Sequence, residues 1–168
     1  MTAWHDFYFT AGGAAAALTG LLFVALTVNR ERIINHPFQR SRARQGVFAL
    51  VTVLVVSLIA LVPDQPRWGL GLELLVGGLL TLGISVVKQR EALAATDVPG
   101  NLWLVLPIYL LYDVALLLIA AAGLLQVAGL AWAISMLVPA ILVCLLIGII
   151  NSWALAVTEE PVPSPRKP

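Results

Sequence analysis

The chain carries little charge for its length. Of its 168 residues, 11% are Asp, Glu, Lys or Arg, whereas about 25% is usual for a soluble domain. With 60% of the residues hydrophobic, the charged side chains are too few to cover a water-facing surface. The length suits one compact bundle without a separate catalytic domain. The net charge of +1 provides no overall field for nucleic acid, so no nucleic-acid partner is expected.

Cysteine and histidine are also scarce. Cys144 is the one cysteine, so it has no intramolecular disulfide partner, and we interpret it as a small apolar packing residue. His5 precedes the first long apolar run and His36 follows it, so a membrane would separate them. The sequence also lacks the His-Glu-x-x-His and Gly-x-Ser-x-Gly motifs of zinc proteases and serine hydrolases. We therefore expect no metal site, no cofactor and no enzymatic activity.

Basic residues are missing from the first ten positions. Because a cleavable signal peptide needs a positively charged start, we expect none here. The first charges after the opening apolar run are Arg30, Glu31 and Arg32, a stop-transfer pattern. The sequence thus predicts a retained first helix with a short exported N-terminus.

Long apolar runs dominate the rest of the chain. Each approaches the ~20 residues that a helix needs to cross about 30 Å of hydrocarbon. The runs are 7–28, 46–62, 68–87, 102–125 and 130–157. We therefore predict an all-α integral membrane bundle of five transmembrane helices over 1–158. The proline-rich remainder, 159–168, is predicted to be a disordered cytoplasmic tail.

The basic residues are distributed unevenly across this bundle. Five crossings leave Arg67 alone on one side and place all the others on the opposite side, namely Arg30, Arg32, Arg40, Arg42, Arg44, Lys88, Arg90, Arg166 and Lys167. Positive charge marks the cytoplasmic side of membrane proteins. We predict an external N-terminus and a cytoplasmic C-terminus in the plasma membrane of a bacterium.

The predicted first cytoplasmic loop, 29–45, is rich in arginine. It contains Arg30, Arg32, Arg40, Arg42 and Arg44. The favoured interpretation is that they only determine the topology. In the alternative they bind anionic lipid headgroups, because each basic residue near such a surface contributes about 1 kcal/mol. The expected partner in either case is a bilayer with anionic lipid on its cytoplasmic face.

Two carboxylates lie inside the apolar runs. Ionised groups are costly in hydrocarbon, so Glu73 and Asp113 are functional candidates. Asp113 is central in the fourth run, which predicts a position near the bilayer midplane, whereas Glu73 lies about 7 Å inside the outer end of the third. Hydroxyl groups at a similar depth to Asp113 are its predicted hydrogen-bond partners: Tyr109, Tyr112, Thr19 and Ser57.

Small and polar residues recur every four positions along the third run. They are Gly69, Glu73, Gly77, Thr81 and Ser85. Four residues make slightly more than one helical turn, so this seam stays on one slowly drifting face. We expect it to face the interior of the bundle rather than lipid.

A second small-residue stripe lies in the first run, where Gly12, Ala16 and Gly20 are four residues apart. Small residues at this spacing let two helix backbones approach closely within lipid. The favoured interpretation is a contact with another helix of the same chain. A contact with a second subunit is the alternative.

The opening segment resembles a family of small multi-pass bacterial membrane proteins, some of which are described as modulators of the FtsH membrane protease. The resemblance lies in WHDFY at 4–8, GAAAAL at 13–18 and LLFVAL at 21–26. It implies an accessory role without catalysis, and it assigns no site residue.

Three roles are open for the buried acids. They are a structural clasp with a protonated Asp113, a proton or cation pathway through Glu73 and Asp113, and contact with another membrane protein. We expect a non-enzymatic protein that acts through helix contacts, as an oligomer or as an accessory or regulatory subunit of a membrane machine. The alternative is a small proton- or cation-conducting channel or transporter.

Overall fold

The structure, a computed structural model, describes residues 2–35, 37–94 and 102–157. Within these ranges it is helical and has no strand. The helices are α1 (Thr2–Val28), α2 (Arg30–Asn35), α3 (Pro37–Ala60), α4 (Arg67–Leu93), α5 (Leu102–Val127), a 3₁₀ helix (Ala131–Met136) and α6 (Leu137–Val157). The predicted tail and His36 lie outside the described residues.

The prediction of five long apolar helices is confirmed. In the described part of the chain, five segments are long and apolar enough to cross a membrane: Trp4–Val28, Gln39–Ala60, Arg67–Leu93, Leu106–Val127 and Ala131–Leu155. These segments extend beyond several of the apolar runs, because backbone hydrogen bonding continues into polar sequence at the helix ends.

The arginine-rich segment is helical and was wrongly predicted to be a loop. After α1 the chain turns at Asn29, whose side-chain amide donates to the Ala25 carbonyl at 3.0 Å. It then forms α2 and enters α3 at Pro37, where a proline is tolerated because the first helical N–H needs no intrahelical acceptor. Three of the arginines therefore lie on α3 and two on α2.

The closest helix pair is α4 with α5. A Cβ atom on Gly71 would lie 2.7 Å from the Gly123 carbonyl oxygen, and one on Gly78 would lie 3.0 Å from the Ala120 nitrogen. Glycine at these crossings lets the two backbones touch, which maximises dispersion contacts. The antiparallel register set by these contacts also places Ser85 opposite Asp113.

α3 lies at the centre and packs against α1 on one side and α6 on another. Gly12 of α1 faces Ser57 of α3, and a Cβ atom on Gly12 would lie 3.1 Å from the Ser57 Cβ. Gly148 of α6 receives the Leu50 side chain. The fully buried core includes Val53, Leu116 and Cys144, so α3, α5 and α6 share one apolar interior.

The predicted α1 stripe does not form one continuous intrachain contact. Gly12 is buried, whereas Ala16 and Gly20 are exposed, and among the described residues nothing lies within 4 Å of a Cβ placed on Gly20. The buried face of α1 instead carries Tyr8 and Ala15. Contact of the exposed stripe with a second subunit stays a prediction.

A glycine ends α5 and reverses the chain. Gly129 has a positive φ of 87°, which a residue without a side chain adopts at little cost. Its N–H donates to the Gln126 carbonyl, and the Leu130 N–H donates to the Leu125 carbonyl, both at 3.0 Å. This Schellman-type ending makes α5 and α6 antiparallel neighbours.

Candidate functional site

A cavity of about 220 Å³ lies between α3, α4 and α5. It exists because α4 packs closely on α5, while α3 reaches α5 through long side chains. The Tyr109 hydroxyl lies 3.3 Å from the Ser41 hydroxyl. The Tyr112 hydroxyl lies 3.3 Å from that of Thr52. The two tyrosines thereby hold α3 and α5 apart and form the back wall of the cavity.

Most of the cavity wall is apolar. Its apolar lining includes Val51, Val55, Leu74, Leu116 and Ile119. The two threonine hydroxyls in the wall each donate to a carbonyl of their own helix. Thr52 donates to the Phe48 carbonyl and Thr81 to the Gly77 carbonyl, each at 2.8 Å. A trapped water molecule needs two to four polar partners. This surface therefore suits a hydrocarbon chain better than a row of water molecules.

One end of the cavity is basic and polar. Arg44 of α3 and Lys88 of α4 both line it, together with Gln45 and Gln89. Lys88 is neutralised by Glu91, whose carboxylate oxygens lie 2.9 and 3.0 Å from its ammonium group. Arg44 forms no ion pair with any described carboxylate. The half-buried Arg44 guanidinium thus brings an uncompensated charge to this end.

The predicted seam of α4 faces this cavity rather than a closed interior. Glu73, Gly77, Thr81 and Ser85 all line it. Glu73 and Gly77 are exposed, while Thr81 and Ser85 are half-buried, so the cavity opens sideways between helices. Gly69 lies outside it and packs against Pro66 in the turn before α4, with 3.3 Å from its Cβ position to the Pro66 Cγ.

Asp113 binds partners that the sequence did not point to. Its Oδ1 accepts a hydrogen bond from the Ser85 hydroxyl at 2.9 Å and another from the Gln89 side-chain amide at 3.0 Å. The same Gln89 amide lies 2.8 Å from the Ser85 hydroxyl. These three side chains form a closed cluster between α4 and α5, because each is within hydrogen-bond distance of the other two.

None of the four hydroxyls predicted to hold Asp113 forms a hydrogen bond with it. Tyr109 and Tyr112 reach α3, and Thr19 donates to the Ala15 carbonyl at 2.7 Å. The buried Ser57 hydroxyl has no hydrogen-bond partner in the described part of the chain. Asp113 is level with Ser85, three residues or about 4.5 Å along α4 from Lys88, and its depth near the bilayer midplane stays a prediction.

Glu73 is remote from Asp113. Its carboxylate accepts a hydrogen bond from the Gln65 side-chain amide at 2.8 Å. Glu73 precedes Ser85 by twelve residues, which corresponds to about 18 Å along α4. The two acids therefore occupy opposite ends of the cavity region and share no direct contact.

The four arginines of this segment whose side chains are described divide into two groups. Arg30, Arg40 and Arg44 surround an open groove between α1, α2 and α3. Arg42 instead points to α6, where its Nε lies 3.4 Å from the Asn151 side-chain oxygen. The side chain of Arg32 lies outside the described part.

The contact between Arg42 and Asn151 belongs to a buried polar network that sequence reasoning missed. Asn151 is fully buried, and its side-chain amide donates to Gln45 at 3.3 Å. Asn151 was the available signal, because a lone amide inside an apolar run is costly unless it is paired. The network links α3 to α6 at the basic end of the bundle.

No family model, no curated protein and no solved structure matches the chain.

Proposed function

We propose that this chain is a non-enzymatic, five-span membrane protein that binds an anionic amphiphile between α3, α4 and α5, as an accessory or regulatory subunit of a membrane machine. One observation carries the proposal: the cavity is mostly apolar, and one of its ends carries Arg44, which has no carboxylate partner among the described residues. An acyl chain fits the apolar part, and a phosphate or carboxylate head fits the guanidinium.

The distribution of aromatic and basic residues supports insertion with the arginine end in the cytoplasm. Trp132 and Trp153 are both exposed, at 60% and 68%, and stand about 34 Å apart along the 3₁₀ helix and α6. Tryptophan favours the two interfaces of a bilayer, and arginine favours the cytoplasmic side. Reporter fusions at the N-terminus and the C-terminus test this orientation, because it places the two termini in different compartments.

The length of the cavity also suits a lipid chain. It runs along α4 from Lys88 to Glu73, which is fifteen residues or about 22 Å. This is most of one hydrocarbon thickness. The accessory role agrees with the resemblance of the N-terminal segment to modulators of a membrane protease. The accessory role predicts a membrane-protein partner whose association with this chain depends on the bound amphiphile.

Binding by the purified full chain in a non-ionic detergent tests the proposal. Native mass spectrometry would compare oleoyl lysophosphatidylglycerol, which is anionic, with uncharged monooleoylglycerol. We expect the anionic compound to bind and the substitution Arg44→Gln to weaken it by about tenfold. Equal binding of both compounds, or no binding of either, would contradict the proposal.

A cavity-filling variant gives a second test with a matched control. Among the described residues, nothing lies within 4 Å of a Cβ on either Gly77 or Gly83, and only Gly77 lines the cavity. A buried Leu→Ala change can leave a void of about 150 Å³, so Gly77→Leu should fill much of the cavity. It should abolish binding, whereas Gly83→Leu on the same helix should not.

The second candidate function is proton or cation conduction. The observation in its favour is that Glu73, Ser85 and Gln89 line one cavity along α4, with Asp113 bonded at its inner end. It predicts flux in liposomes that falls in Asp113→Asn and Glu73→Gln. Flux that is absent, or equal in both variants and the parent, rejects it.

A further inference from the structure

A second groove lies on the other side of α3. It is an open space of about 500 Å³ between α1, α2 and α3. Its walls are apolar, with Phe23 and Leu26 from α1, Ile33 from α2 and Val47 from α3. Like the first cavity, it combines a hydrocarbon-like wall with cationic side chains at one end.

Arg44 and Phe48 line both spaces. They are four residues apart on α3, so they lie on the same face one turn from each other. Val51 and Val55 continue this face, and both are exposed together with Phe48. These residues form a ridge of α3 between the α1-side groove and the α4-side cavity, and Arg44 borders both spaces.

The arginine side chains beside this ridge have no carboxylate partner in the described part of the chain. Arg30, Arg40 and Arg44 all line the α1-side groove, and none of them forms an ion pair within the described ranges. Arg40 donates to the Ile34 carbonyl, which holds α2 against α3. Arginine side chains without carboxylate partners are complementary to a phosphate, because a guanidinium group donates paired hydrogen bonds to it.

From this arrangement we infer that the occupant is a diacyl anionic phospholipid of the surrounding bilayer that straddles α3. Its phosphate lies at Arg44, one acyl chain lies in the α4-side cavity, and the other lies in the α1-side groove across Phe48. The inference rests on the proposed function and names its ligand class. A single-chain amphiphile fills one side only and leaves the other apolar wall uncovered.

The test compares one-chain and two-chain lipids on the full chain in non-ionic detergent. The probes are dioleoyl phosphatidylglycerol, oleoyl lysophosphatidylglycerol and zwitterionic dioleoyl phosphatidylcholine, measured by native mass spectrometry. We expect the diacyl anionic lipid to bind about tenfold or more tightly than either of the others, because an additional buried chain adds apolar contact. Arg44→Gln should weaken both anionic lipids, whereas Arg67→Gln, at the exposed start of α4, should weaken neither.

A variant that fills one groove distinguishes the straddling inference from the proposed function on which it rests. Val47→Trp fills the α1-side groove, so it should reduce diacyl binding to the level of the one-chain lipid and leave one-chain binding unchanged. Cys144 provides the folding control, because its thiol is fully buried. A variant whose Cys144 stays unreactive towards a maleimide is folded.

The outcomes are distinct. Equal affinity of one-chain and two-chain anionic lipids, both dependent on Arg44, overturns the straddling inference and leaves the proposed function standing. Diacyl binding that Val47→Trp does not change also overturns the inference. If no anionic lipid binds more tightly than the zwitterionic one, both the inference and the proposed function fail.

Discussion

Replacing Gly123 by alanine should test the packing on which the cavity depends. A Cβ at this position would overlap the Leu75 nitrogen and would lie 2.6 Å from the Gly71 carbonyl oxygen. Both atoms belong to the α4 backbone, so no side-chain rotation relieves the clash. Because non-bonded carbon atoms prefer 3.5–4.0 Å, the helices must separate by about 1 Å.

The expected net effect is destabilising. Overpacking a well-packed interior typically costs about 1–3 kcal/mol, whereas Gly→Ala in a helix gains about 0.8–1.0 kcal/mol of intrinsic propensity. The clash is with backbone atoms at the closest helix pair, so we use the upper part of the overpacking range of about 1–3 kcal/mol. The free energy of unfolding should then fall by about 1–2 kcal/mol.

The single cysteine provides the assay. Cys144 is fully buried, so a thiol-reactive dye added during a temperature ramp reports unfolding. For a chain of this size, 1 kcal/mol corresponds to about 2–4 °C, so Gly123→Ala should unfold several degrees lower. Gly20→Ala is the control, since its Cβ meets nothing within 4 Å in the described part, and its midpoint should stay equal or rise. A Gly123→Ala midpoint at or above the parent would refute the reasoning.

Three further predictions use the same dye assay. Asn151→Leu should lower the unfolding midpoint by the equivalent of about 1–3 kcal/mol because Gln45 loses its buried partner; an unchanged midpoint would show that water satisfies this group. Asp113→Leu should destabilise more than Asp113→Asn, because an asparagine oxygen still accepts from Ser85, and equal effects would count against the cluster. Gly77→Leu should keep or raise the midpoint, since the position is open, and a large drop would show that the cavity wall cannot accept a side chain.

The five long helices could be predicted because bilayer thickness fixes how long an apolar run must be. The ends of the helices could not, since hydropathy measures side chains while a helix is continued by its backbone. Arg40 and Arg44 illustrate this point: they lie on α3, beyond the apolar run that begins at 46. Their position on a helix, rather than in a loop, is what brings Arg44 to the cavity.

The packing glycines could not be chosen from spacing alone. Gly69 and Gly77 fit the four-residue pattern, yet Gly71 and Gly78 contact α5. A spacing pattern along one helix shows which residues share a face. It does not show which face a neighbouring helix covers. That depends on the register between two helices, which involves residues far apart in the sequence.

The partners of Asp113 follow from that same register. The contact of Gly123 with Leu75 and the hydrogen bond from Ser85 to Asp113 lie ten residues apart on each helix, in opposite directions. A rigid antiparallel pair that fixes the first contact therefore fixes the second. Because α4 is held to α5 at both places, it cannot also close on α3, and the tyrosines span the remaining space. Binding and stability should consequently fall together in Gly123→Ala, which moves a wall of the cavity, and separate in Gly77→Leu, which only fills it.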